Sequence, residues 1–455
     1  MTPLPTLPDW PTLAWSPNSG TGPRVLGLNP WIEDFAAYNL WLRPLGLLAC
    51  LDMLRRAGCD IALVDCLDRT WRNVRWPAPG PCGAGRFPRQ PLDTPAPLAN
   101  IPRQFSRYGL PEEAVAGALT RLGPEPDVVL VTCLMTYWYA GAVAAMRLVR
   151  RIWPTVPIVL GGAYATLCTA HARALDLADA VLPGPLEAPE NWNAFWRLLG
   201  VPAPDLPPQA GFSLALDRYP RPAYAPVLGS RGCPFRCAYC ASRLLYAGFR
   251  QRRPEHIRDE FVAAYTAGVR DFAFFDDALL VAPEAWLLEF LDHCATSAPD
   301  ARLHTPNALH ARFLTPDLAK RLRRAALTTV RLGLESAEFA ARLDEKIREE
   351  EWRAAVEALL SAGYAGRDIG VYLLFGLPHQ DMESVRRGVA TVRALGLTPI
   401  LAHYSPIPGT PLFAQALASS PYPLAEEPLF QNNSLWPCVP GGFSWEARAR
   451  VKAWF

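Results

Sequence analysis

Two successive series of short apolar runs, each run followed by an amphipathic stretch, limit what this chain folds into. In the first series the runs are residues 25–29, 61–65, 128–133, 158–162 and 180–183, with amphipathic stretches near 45–57, 112–122, 140–152, 170–177 and 191–199. In the second the runs are 225–230, 272–276, 302–306, 330–335, 369–376 and 400–404, separated by amphipathic stretches at 255–267, 284–295, 316–326, 350–362 and 382–395. Short apolar runs separated by helical crossovers predict parallel strands covered on both faces. The first series reads as a doubly wound α/β domain over 24–200, whose ligand belongs at the carboxyl ends of the strands. Six strands with five crossovers over 225–415 fit an open or closed parallel barrel.

The rest of the chain interrupts this pattern. Residues 1–23 form a Pro-rich N-terminal extension, 201–224 read as an interdomain linker and 416–455 as a C-terminal tail. Residues 69–111 are rich in Pro and Gly, lack periodicity and are too long for an ordinary connection. They are expected to form a mobile loop or lid, whose Trp71, Trp76, Phe87, Phe105 and Tyr108 either cover a cofactor or pack on protein.

Composition narrows the function. Half of the 455 residues are hydrophobic, 19% are charged and the net charge is +2, which excludes a disordered chain and an overall basic field for holding nucleic acid. The N-terminus has no basic start or apolar signal core, and no apolar run approaches the roughly 20 residues that span a bilayer. A cytoplasmic protein without a membrane partner is the simplest expectation. Eleven Cys is an odd number in a chain too large to need disulfide staples, so free thiols or metal ligands are expected. Cys50, Cys59, Cys66, Cys82, Cys133, Cys168, Cys294 and Cys438 are dispersed and read as small buried apolar residues.

The other three stand together. The first strand of the second series runs into Ser230-Arg231-Gly232-Cys233-Pro234-Phe235-Arg236-Cys237-Ala238-Tyr239-Cys240. Three thiols within eight residues of a Gly- and Pro-containing loop can converge on one metal centre. Zinc would want a fourth Cys or His at similar range, and the nearest His is His256. A [4Fe–4S] cluster usually takes four Cys, so three leave one iron open to a small molecule.

This C-x3-C-x2-C spacing directly after a strand resembles the signature of the radical S-adenosylmethionine (SAM) superfamily. The resemblance implies that Cys233, Cys237 and Cys240 hold a [4Fe–4S] cluster whose open iron chelates the amino and carboxylate groups of SAM. One electron then cleaves SAM to a 5′-deoxyadenosyl radical. It also implies that Tyr239 lies against adenine, and that Asp276 or Asp277 in Phe274-Phe275-Asp276-Asp277 receives the SAM ammonium, although the usual Gly-Gly-Glu is absent. Gly333-Leu334-Glu335-Ser336 is similar to the Gly-x-Glu-Ser of members that modify tRNA or use cobalamin, where Glu335 and Ser336 would position SAM. In the same branch, backbone near Gly376 (Leu374-Phe375-Gly376-Leu377-Pro378) and Pro408 (Ser405 to Thr410) approaches adenine.

A doubly wound domain ahead of such a barrel resembles the cobalamin-binding domain of the B12-linked radical SAM subgroup. The whole chain is then expected to be a flavodoxin-like, cobalamin-binding-type domain followed by a partial (β/α)6 radical SAM barrel. Thr132 and Thr136 after the third strand, with Gly161 and Gly162 after the fourth, are the expected cobalamin contacts. The Asp-x-His-x-x-Gly element that supplies a cobalt ligand in methyltransferase modules is absent, and His171 is the domain's one His. The expected activity is cobalamin-dependent C-methylation of an unactivated carbon in a small molecule or peptide, with an electron donor such as flavodoxin or ferredoxin. Alternatives are a cobalamin-independent rearrangement, cyclisation or RNA modification, and a non-catalytic iron–sulfur or zinc protein. His304 and His403 either face substrate or are structural. Cys438 is a fourth ligand, a radical-quenching thiol or a buried one.

Overall fold

The computed structural model describes residues 13–16, 22–71, 74–206, 213–219, 222–342, 344 and 346–455. Most of the expected N-terminal extension lies outside them. The chain divides into two compact units: Met1–Pro95 with Arg103–Ala223, and Ala96–Pro102 with Tyr224–Phe455.

In the first unit β1 (Arg24–Asn29), β2 (Asp60–Asp65), β3 (Val128–Cys133), β4 (Ile158–Gly161) and β5 (Ala180–Val181) form one parallel sheet in the order 2-1-3-4-5. Their apolar runs are buried almost throughout, as expected of strands covered by helices on both faces. The crossovers include α1 (Leu45–Arg56), α2 (Glu112–Arg121) and α3 (Tyr139–Ile152). The order reverses between β1 and β3, the switch point where open α/β sheets leave a crevice.

A buried polar network fixes the carboxyl ends of β1 and β2. Asn29 donates to Asp65 (2.6 Å), Tyr219 O–H donates to the other Asp65 oxygen (2.7 Å), and Arg43 reaches Asp65 (3.4 Å) and Asp68 (3.2 Å). The Arg43 guanidinium also lies 3.9 Å from the centroid of the Tyr219 ring. Tyr219 belongs to the stretch expected to be linker. Its described residues 213–219 instead pack on this unit, with Leu214, Ala215 and Tyr219 buried.

Residues 69–111, expected to form a mobile loop or lid, contain short strands. Arg89–Pro91 and Ser106–Tyr108 pair antiparallel, and the latter pairs with Ile32–Asp34. Trp71, Phe87, Phe105 and Tyr108 are buried, so these aromatics serve packing. The strands are only three residues long, too short to give a readable alternation.

The second unit is built on β6 (Ala225–Val227), β7 (Asp271–Phe274), β8 (Arg302–His304), β9 (Leu327–Glu335), β10 (Ile369–Phe375) and β11 (Thr398–His403). All six are parallel and neighbour one another in chain order. The helices between them start where the chemistry prescribes. Before Pro316–Arg324 the Thr315 hydroxyl accepts from Leu318 N–H, and before Met382–Ala394 the Asp381 carboxylate accepts from Glu383 and Ser384. Phe272, Phe274, Leu303, Leu332 and Val371 lead the core between sheet and helices. Part of the expected tail is also packed, with Trp436, Val439 and Phe443 buried against Phe375. Among the described residues no helix is long and apolar enough to cross a membrane.

Leu332 is fully buried in β9. Leu332→Ala should lower stability by about 2–5 kcal/mol, read as a lower urea midpoint for the second unit's tryptophan fluorescence transition.

Candidate active site

The site is assembled at the carboxyl ends of the strands of the second unit. After β6 the chain forms a short antiparallel ladder, Ser230 opposite Gln251 and Arg231 opposite Arg250, which closes the base of the cysteine loop. Gly232 enters the loop at φ +75, and a Cβ there would stand 2.1 Å from the Gly248 carbonyl oxygen. Only glycine satisfies both demands. Cys233 and Cys237 are buried and Cys240 is exposed. Burial raises the Cys233 thiol and pushes Cys237 up to about 11, which favours the protonated thiol at both.

Two acids at the end of β7 hold this loop. Asp276 is buried and accepts from Gly229 N–H (3.1 Å) and the Ser230 hydroxyl (2.6 Å). Burial lifts its carboxyl to about 6 despite these donors. Burial also raises Asp277, opposed by hydrogen bonds from the Ser242 hydroxyl and Gly232 N–H. Both carboxylates expected at the SAM ammonium are thus engaged by the cysteine loop. The turn after β11, which carries Pro408, joins in: Leu412 N–H donates to the Ala238 carbonyl (3.0 Å).

Glu335 closes β9 with φ +60, a backbone conformation that costs a non-glycine residue energy and clusters at functional sites. Its Oε1 meets Lys346 Nζ (3.0 Å) and Tyr239 O–H at the outer limit of 3.5 Å, and its Oε2 is buried without a partner. Tyr239 also lies 3.5 Å from Asp344 and 5.5 Å under the Lys346 ammonium. Burial alone would depress that ammonium, but Glu335, Cys237 and Asp344 raise it above its ordinary value. Asp344 is paired with Arg342 (2.9 Å), which donates to the Leu334 and Ser336 carbonyls.

The remaining expected residues have local partners. The Ser336 hydroxyl accepts from Glu338 N–H, and Gly376, at φ +84, donates its N–H to Gln380 Oε1. His304 is wholly buried between Asp271 (3.0 Å) and Thr329 (2.9 Å), and His403 accepts from Trp436 Nε1 (2.8 Å). Both histidines thus have side-chain partners within the second unit. Cys438 is buried, which raises its thiol to about 11. The eight dispersed cysteines are buried or half-buried.

Sequence reasoning missed Arg342, Asp344, Lys346 and His310. The chain has three Lys among 45 basic residues, and that scarcity was the available signal for Lys346. His310 follows Leu309, which bridges Leu332 of β9 just beyond the end of β8.

In the first unit Thr132 and Thr136 are buried, and Gly161 has no atom within 4 Å of where a Cβ would stand. A Cβ on Gly162 would meet Thr132 Oγ1 at 2.7 Å and the Cys133 carbonyl oxygen at 2.8 Å, so close strand packing already requires that glycine.

Residues 227–389 match the family model of the radical SAM superfamily. That segment contains the cysteine loop and Glu335, so the second unit carries a radical SAM domain, of the class whose cofactors are a [4Fe–4S] cluster and SAM. The chain is 23% identical over 338 residues to an uncharacterised methyltransferase of Pyrococcus horikoshii, covering 65% of this chain and 70% of that one. Its fold is similar to that of TsrM, a radical SAM methyltransferase from Kitasatospora setae, in two solved structures. One contains tryptophan substrate and a SAM analogue (TM-score 0.62, 16% identity, 88% of this chain and 77% of that one). The other contains cobalamin and a [4Fe–4S] cluster (TM-score 0.61, 17% identity, 89% and 80%).

Two outcomes follow for the loop. Gly232→Ala should retain less iron after anaerobic reconstitution, measured against wild type by iron analysis. Asp276 binds its proton more readily in the fold than in the unfolded chain, where the carboxyl sits near 3.8. Its contribution to stability therefore grows as pH falls from 7 to 5, by at most about 1.4 kcal/mol per unit. The urea midpoint of wild type relative to Asp276→Asn should rise over that interval.

Proposed function

We propose that this enzyme uses its second unit to cleave SAM reductively and its first to bind cobalamin, for C-methylation of an unactivated carbon in a small molecule or peptide. The observation that carries the reading is the cysteine loop, braced at the strand ends beside Tyr239, Glu335 and Lys346, in a chain whose first unit has the 2-1-3-4-5 sheet. The likeness to TsrM along most of the chain and the relative named as a methyltransferase support it.

In this class the reduced cluster supplies the electron that splits SAM into methionine and a 5′-deoxyadenosyl radical. Cys233, Cys237 and Cys240 would hold the cluster, and the second unit's sheet would curl as a partial barrel around SAM. Tyr239 would lie along the adenine, with Gly376 and Pro408 close to it through backbone. Glu335, positioned by Lys346, would accept from the ribose hydroxyls through its unpartnered oxygen, with Ser336 fixing the turn behind it. Asp276 and Asp277 would act chiefly by holding the loop, the latter also adding negative potential for the SAM ammonium.

Thr132, Thr136, Gly161 and Gly162 lie at the strand ends where cobalamin would approach, and a Cβ at Gly161 would meet open space. An external one-electron donor such as flavodoxin or ferredoxin would reduce the cluster. A second reading keeps the radical chemistry without cobalamin. It is favoured by Gly162, which the packing of β3 against β4 already explains.

Protein purified without oxygen from cells supplied with hydroxocobalamin should contain iron for one [4Fe–4S] cluster and cobalt stoichiometric with the chain. Iron without cobalt overturns the cobalamin part alone. Cys237→Ala should abolish both the cluster and 5′-deoxyadenosine formation; deoxyadenosine still formed by that variant sinks the radical SAM assignment of the loop.

A further inference from the structure

A buried polar atom without a partner is costly, and a native fold keeps few. His310 has two: both ring nitrogens lack a hydrogen-bond partner, and the residue is only 8% exposed. Its ring stacks on Phe235, with centroids 4.8 Å apart and planes 21° apart, and Phe313 packs against the same Phe235. Phe235 stands between Cys233 and Cys237, and its backbone N–H donates to the Cys233 sulfur. Lys346 acts electrostatically on Cys233, Cys237 and His310 alike, so one ammonium shares its neighbourhood with two thiols and the imidazole. Burial first, and Lys346 second, hold the imidazole neutral by lowering it to about 3.

A neutral imidazole carries one N–H donor and one acceptor. The donor belongs to a ring stacked on Phe235 of the loop whose metal centre would present sulfur acceptors, and hydrogen bonds to cluster sulfurs are among the factors that set reduction potential. Resting on the radical SAM reading, we propose that His310 donates its N–H to a sulfur of the cluster held by Cys233, Cys237 and Cys240, as a positioning residue that raises the cluster's reduction potential. The N–H dipole favours the reduced state because that state places more negative charge on sulfur.

The test compares full-length wild type, His310→Phe and His310→Asn, anaerobically reconstituted and matched for iron, by redox titration without SAM, following the reduced cluster by EPR. At the applied potential that half-reduces wild type, the reduced-to-oxidised ratio should fall about tenfold in the Phe variant, a shift of about 59 mV for one electron. The Asn variant keeps an N–H and should recover most of it. If the Phe variant does not load iron, His310→Leu replaces it as the apolar member of the comparison. A wild-type midpoint in the apolar variant overturns the assignment. So does an unchanged midpoint with weakened binding of SAM by equilibrium dialysis, which would give His310 to SAM instead. Wild-type protein that forms no cluster sinks the underlying reading, an outcome distinct from a cluster whose potential ignores residue 310.

Discussion

Backbone N–H groups in a loop without regular structure need acceptors, and in the cysteine loop those of Gly229 and Gly232 find the carboxylates of Asp276 and Asp277. The hydroxyls of Ser230 and Ser242 are taken up by the same two acids. These acids follow β7 directly, and β7 is fixed by Phe272 and Phe274 packing against Phe261, Trp286 and Phe290. Core packing therefore reaches the start of the cysteine loop through these two carboxylates. Burying Asp276 to this degree is unfavourable for its charged form, as its raised pKa records, and the geometry of the loop is what the fold gains in exchange.

Charge near the thiols is organised around one ammonium. Lys346 is largely withdrawn from water, which by itself disfavours its charge, and Glu335, Cys237 and Asp344 reverse that. A cation held there favours thiolates over thiols, the form that binds metal. It also fixes the Glu335 side chain, whose backbone sits in an uncommon conformation at the end of β9. The strain at Glu335 and the ion pair that restrains it are two sides of one arrangement.

The strands were legible because their apolar runs are short, buried on both faces and separated by periodic helices. Residues 128–133 and 369–375 are strands almost to the residue. The cysteine loop was legible because ligand spacing is local. Three-residue strands in 69–111 were not, since so few residues cannot show alternation, and Tyr219 read as linker because its partner Asp65 is remote in sequence. His310, Lys346 and Asp344 escaped for the same reason: what defines them is convergence across separate strand ends, and no fixed spacing encodes it. The roles of Asp276 and Asp277 were half visible, as acids in the right place whose nearest partners only the coordinates reveal.

The bond from Leu412 N–H to the Ala238 carbonyl joins the middle of the cysteine loop to a turn near the far end of the chain. On the ribosome the three thiols emerge long before that turn, and before Glu335 and Lys346 as well. Until they are made, the loop lacks the bond at Ala238 and the side chains around Tyr239. The brace at Ala238 is therefore a product of long-range closure, formed only after residue 412 has been added, whereas the carboxylates of Asp276 and Asp277 are at hand well before it.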